Sequence, residues 1–376
     1  MKKILIAVLL SFTFITLTAF NTNQNIIFPA EGTITSVYTT DTHVYFSAQL
    51  SNDKWVVYGY NLSNGELDYE TPSYNNSIID IQATDTHIYF VESGRMFVRT
   101  YNKETQSTGN VWQNYNNDVT VVAVNDTHVF YGGPTLWGYN INDGTVDINI
   151  PSYFSTIRAV YITDTHVFYG GAGSKNVRGY NLETGTVDIQ TPNYSGNIRD
   201  IVVTDTHIFY GGDTQTVRGY NLETGTVDIE TPSYGGTIMG IAVNDTHIFY
   251  GGNDTNRVLG YNLETGTVDI ETPLYNGNIR DVALNDTHVF YGGNDVHQLH
   301  GYLYIGLPPI SNTLFDTVNA IAVSIMSMFA SLFATMTNVF YDEGFTTFGL
   351  IIMIPVGFVL GTFALVKIRS MMMMKG

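Results

Sequence analysis

One tripeptide, Asp-Thr-His, occurs seven times, with its histidines at His43, His87, His128, His166, His207, His247 and His288. The intervals are 44, 41, 38, 41, 40 and 41 residues. Two further markers keep the same phase. Aromatic-Gly-Gly follows the histidine from the third repeat onward, as in Tyr210-Gly211-Gly212, and Gly-Tyr-Asn recurs as in Gly219-Tyr220-Asn221. A period near 40 is that of a propeller blade, a unit that cannot bury its own apolar faces and must stack on its neighbours.

The unit beginning at Ile198 divides into four β-rich pieces: 198–203, 207–210, 216–221 and 226–230. Thr204-Asp205-Thr206 and Glu223-Thr224-Gly225 between them are hairpin signals, Gly225 being free to take positive φ. Gly211-Gly212-Asp213 reads as the middle loop, and Thr231-Pro232 ends the unit because proline cannot donate to a continuing ladder. Four short antiparallel strands repeated seven times make an all-β, seven-bladed β-propeller over residues 24–305. The seventh unit supplies only three strands before Leu307-Pro308-Pro309. Gln24–Pro29 resembles the missing fourth, so the N-terminal strand is expected to close the last blade and remove its open edge.

The His207–Gly212 strand and the Val217–Ile229 run, a strand, polar loop, "Thr-Gly" hairpin and apolar strand, resemble the YVTN and PQQ-like families of propeller repeats. The resemblance implies the propeller fold. It leaves function open, since those repeats serve surface-layer proteins, adhesion modules and some enzymes. The Tyr-Val-Thr-Asn tetrapeptide itself is missing from this chain, and no quinone-binding set is recognisable.

The two ends carry localisation signals. Lys2 and Lys3 precede an apolar run and then polar Asn21-Thr22-Asn23, the pattern of a secretory signal over residues 1–20. Residues 345–366 carry no charge and are long enough to span a bilayer. Lys367 and Arg369 then place the basic tail, 367–376, on the cytoplasmic or interior side. Between ring and span, Phe315, Val318, Ala322, Ile325, Phe329 and Leu332 step by three and four residues. Residues 312–341 are therefore expected to form an amphipathic helix, a stalk or interfacial element through which the chain can form a homo-oligomer.

Charge and composition exclude several functions. The stretch between the two basic ends holds only 11 of the 16 lysines and arginines against all 34 acidic residues, so a phosphate backbone is repelled and nucleic-acid binding is not expected. Zero cysteines remove disulfides, thiolate nucleophiles and cysteine-held metals. The seven histidines fall on different blades, too far apart to share one metal, and read as turn supports. No catalytic constellation, metal site or cofactor is expected, because catalysis needs unique groups gathered in one place and the polar residues here are repeated scaffold.

Function is sought where copies differ and where loops gather. The loops between blades carry Tyr74, Tyr115, Tyr153, Tyr194, Tyr234 and Tyr275, with Trp112 in one. Such a ring suits glycan or protein contact if it faces solvent, and wedges the blades apart if it does not. Arg158, Arg199 and Arg280 share one first-strand register and are expected either to face an anionic group at the channel mouth or to pair within the blade with Asp200 or Asp281. Asn-x-Ser/Thr sequons, among them Asn193, are glycosylation candidates on an exported chain. The favoured reading is a membrane-anchored, surface-displayed binding or adhesion module, a cell adhesin or virion attachment spike, for a glycan or protein ligand. The alternatives are a structural subunit of a surface layer and, by fold analogy alone, a propeller enzyme.

Overall fold

The computed structural model describes residues 25–111, 115–173, 175–294 and 297–304. The expected signal segment, 312–341 helix, 345–366 span and basic tail lie outside the described residues, as does Trp112. Among the described residues no helix is long and apolar enough to cross a membrane.

Seven four-stranded antiparallel sheets follow one another along the chain. In the fifth blade the strands are Ile198–Val203, His207–Gly212, Arg218–Asn221 and Thr226–Glu230. The two glycines of the expected middle loop are therefore strand, and the turn begins at Asp213. Gly212 pairs with Ile198 while the first strand bulges around Arg199, and a Cβ on Gly212 would overlap the Asn197 carbonyl oxygen. The pair of glycines lets the second strand continue past that bulge, a close backbone approach that only glycine permits.

The seventh sheet has the order expected of a latch. Ile26–Pro29 pairs antiparallel with Gln298–Leu303, which pairs with His288–Gly293 and then Ile279–Leu284. Phe28 turns inward, 3% exposed, and its ring lies 4.8 Å from Tyr60 of the first blade and 6.4 Å from Phe290 of the last.

The core is distributed between blades. Each of seven apolar clusters draws on two neighbours; one joins Phe168 and Val177 of blade four to Ile198, Ile208 and Tyr210 of blade five. Outermost strands such as Thr226–Glu230 alternate exposed with half-buried side chains and bury least. A sheet with two buried faces and a polar outer edge is stable only inside the ring, which is why closure matters to every blade.

Candidate functional site

Antiparallel pairing gives the ring two chemically different rims. First-strand starts, second-strand ends, third-strand starts and fourth-strand ends meet at one rim, as Ile198↔Gly212, Tyr210↔Arg218 and Arg218↔Glu230 show. Every lysine and arginine between residues 25 and 304 lies on this rim except Lys103. The opposite rim carries the Asp-Thr-His turns and the Glu-Thr-Gly hairpins and is almost purely acidic at its surface. Lys103 itself is half-buried there, donating to the Thr84 carbonyl at 2.5 Å, and burial pushes its amine down to about 8.

On the acid rim the histidines are structural. His207 Nδ1 meets the Thr206 hydroxyl at 2.8 Å, and its Nε2 meets Asp228 of the fourth strand at 3.0 Å. Asp228 also accepts from the Asn221 amide at 2.9 Å, so one carboxylate ties three strands. Equivalent His–Asp contacts join His43 to Asp68, His128 to Asp147, His166 to Asp188 and His247 to Asp269. The aspartate reaches inward because it sits at a bulge, where the pairing steps from Gly219↔Ile229 to Tyr220↔Val227 and leaves it unpaired. Hydrogen bonds from Asn61 and His43 hold Asp68 below the usual carboxylate range. Blade two lacks the fourth-strand aspartate, and His87 meets Asn102 at 3.2 Å instead. Among the described residues no group of three or more histidines and carboxylates is placed to hold a metal ion.

The loop tyrosines are not a solvent-facing ring. Tyr115, Tyr153, Tyr194, Tyr234 and Tyr275 are buried between blades. Tyr194 shows the reason: its backbone N–H donates to Lys175 of blade four, and its hydroxyl donates to the Thr216 carbonyl of blade five at 2.6 Å. Tyr153 reaches Asn176, and Tyr234 reaches Arg257, in the same way. A variable third-strand residue then covers each ring. Arg178 lies 5.3 Å from Tyr153, Arg218 lies 5.6 Å from Tyr194, and Trp137 meets Tyr115 edge-on at 5.0 Å. Tyr74 is half-buried, with Arg99 4.8 Å above it and Phe90 at 5.2 Å. These tyrosines act as wedges, the second of the two roles that their place in the loops left open.

The three arginines do stand at the mouth register, but they do not pair with the aspartates beside them. Arg199 pairs with Asp213 at 3.0 Å, and Arg280 donates to Asn294 at 3.1 Å. Arg158 is exposed; the blade-four residue matching Asp213 is Ala172. Partial desolvation, then the neighbouring Arg199, lowers the Arg158 pKa, with Asp213 opposing.

Asp80, Asp200 and Asp281 instead turn to the backbone of the next blade. Asp200 accepts from Ile201 at 2.8 Å and from Ile241 at 2.6 Å; Asp80 accepts from Val122, and Asp281 from Val37, each at 2.7 Å. The carboxylates line the central channel, partly open to it yet enclosed by the ring. Burial first, against the backbone donors, pushes Asp80 and Asp281 up to about 7; burial and then the Asp281 charge push Asp200 well above its ordinary value.

These features define the chain as a seven-bladed β-propeller with structural histidine supports and one arginine-bearing rim. No protein-family model matches the sequence, and no curated protein matches it. Among solved structures it is similar to the WD40 β-propeller domain of Doa1, with a TM-score of 0.61 and 11% identity over 73% of this chain and 94% of that one. It is also similar to the computationally designed Ika8 protein, with a TM-score of 0.59 and 13% identity over 73% of this chain and 98% of that one. At such identities the likeness carries the fold alone.

Proposed function

We propose that this protein is a surface-displayed binding module: an exported propeller, tethered through one C-terminal span, that captures a glycan or protein ligand. One observation carries the reading. Both ends of the described ring leave at the acid rim, where Leu303 donates its N–H to Asn25 and pairs with His288. Neither end of the described ring leaves from the arginine-bearing rim, and that rim is where corresponding positions of the blades differ most in charge. The likeness of the repeat to YVTN and PQQ-like units, and the signal and span expected at the two ends, fit the same reading. The propeller fold is compatible with a binding module.

The test is binding of the full-length protein, displayed on liposomes, to intact cells before and after their surface glycans are stripped. Binding that falls on stripping supports a glycan-binding module, and binding that persists supports a protein ligand. No binding to any cell at high display density overturns the reading and favours a subunit of a surface layer.

A further inference from the structure

Blade four breaks the rim pattern in two ways at one place. Blades five and six match cations with acids: Asp213 on Arg199, Glu230 on Arg218 at 3.3 Å, Glu271 on Arg257 at 2.6 Å. In blade four Ala172 stands at the Asp213 position and Gln190 at the Glu230 position, and no acid occurs in 150–163, 170–178 or 190–199. Arg158, Lys175 and Arg178 therefore share a rim without a carboxylate of their own. Arg178 donates to the Ser152 carbonyl at 3.2 Å.

The second break is Phe154. It is 85% exposed, the most open large apolar side chain among the described residues, and its φ is +66°. The matching loop positions are Ser195, Gly235 and Asn276, with φ of 67°, 88° and 61°. Glycine and asparagine accept the left-handed region readily, and serine is small; a bulky aromatic there is an outlier that costs stability. Nothing buries the ring in return. The Arg178 guanidinium lies 5.9 Å from its centre, on the way to Tyr153.

We propose that this rim of blade four binds an acidic sugar, resting on the reading of the protein as a binding module. The apolar C–H face of a pyranose stacks on Phe154, and its carboxylate or sulfate is taken by Arg158 with Lys175 and Arg178 beside it. A guanidinium offers paired donors to such a group, and the acid that faces Arg158 from the next blade, Asp213, is already paired with Arg199 at 3.0 Å. A sugar suits the site better than an acidic peptide. Peptide capture uses a free sheet edge or a groove, and the ring's strand edges lie on its circumference, whereas one exposed ring flanked by cations matches a single sugar residue.

Binding of the full-length protein in detergent would be measured to immobilised oligosaccharides ending in N-acetylneuraminic acid, glucuronic acid, sulfated galactose or neutral galactose. Acidic termini should bind and neutral ones should not; whether carboxylate or sulfate responds identifies the anion. Arg158→Gln and Phe154→Asn should each weaken binding about tenfold or more, with Arg158→Lys falling less, because a point charge replaces a paired donor. Phe154→Asn should raise the melting temperature while it weakens binding, an opposition that loss of folding cannot produce. Lys103→Gln, on the other rim, should leave binding unchanged. Equal binding to neutral sugars, full affinity in both variants, or capture of acidic peptides alone overturns the acidic-sugar site and leaves the binding module standing. No response to any probe, together with no cell binding, removes both.

Discussion

Truncating Phe28 tests whether the ring is held shut by its N-terminal strand. The ring of Phe28 fills the seam between the last blade and the first, 3% exposed, while Ile27 beside it is 54% exposed on the same strand. Phe28→Ala removes an aromatic from a site lined by Tyr60, Phe290 and Leu299 and leaves a cavity that these residues cannot fill. Such a change costs about 3–5 kcal/mol. For a domain of this size each kcal/mol is worth about 2 °C, so the melting temperature should fall by roughly 6–10 °C. Ile27→Ala should stay within about 0.5 kcal/mol of the wild type, as surface truncations do. Differential scanning calorimetry on the two variants makes the comparison. Equal losses in both, or a negligible loss in Phe28→Ala, would refute the reasoning, because the strand would then contribute backbone pairing and no seam.

Three further outcomes are expected. The channel carboxylates, whose pKa values are raised from an ordinary 3.8 toward about 7, bind more protons folded than unfolded in that window, so they lower stability as pH rises through it. His87 and His300, lowered by burial, act oppositely around 6.5, so the readout is the difference between wild type and Asp80→Asn/Asp281→Asn in urea midpoints from pH 4 to 8. A pH slope unchanged by the double substitution would contradict the channel assignment. Tyr194→Phe should cost about 1 kcal/mol through the lost bond to Thr216 while ligand binding is kept, and a loss of binding with stability intact would put the tyrosine back at the ligand. A double-mutant cycle on His207→Ala and Asp228→Ala should give a coupling of about 0.5–1.5 kcal/mol, and a coupling of zero would show the contact to be incidental.

The repeat made the ring legible before any coordinates. The period, the turn residues and the missing fourth strand of the last unit lead to the observed topology, and two of the four strands of blade five have the expected bounds. What escaped is pairing at a distance. His207 and Asp228 are 21 residues apart, and the aspartate turns inward only because the strand bulges there, which a strict alternation of faces does not anticipate. Asp200 and Asp281 looked like partners for the adjacent arginines, yet each carboxylate is taken by backbone N–H groups, one of them in the next blade. Whether the tyrosines face solvent or wedge the blades stayed open in the sequence for a related reason. Their burial depends on carbonyl groups of a neighbouring blade, which no local pattern encodes. Phe154 was passed over because its strain shows only beside Ser195, Gly235 and Asn276.

The central claim is that one rim works and the other supports. Because the chain has no cysteine, a single one can be placed on either rim and conjugated to a bulky polyethylene glycol. Ser195→Cys marks the arginine-bearing rim, and Glu223→Cys marks the acid rim of the same blade; both positions are exposed. Cell binding by the liposome-displayed, full-length protein should be lost when position 195 is conjugated and kept when position 223 is. Binding that survives at 195 and disappears at 223 would contradict the account.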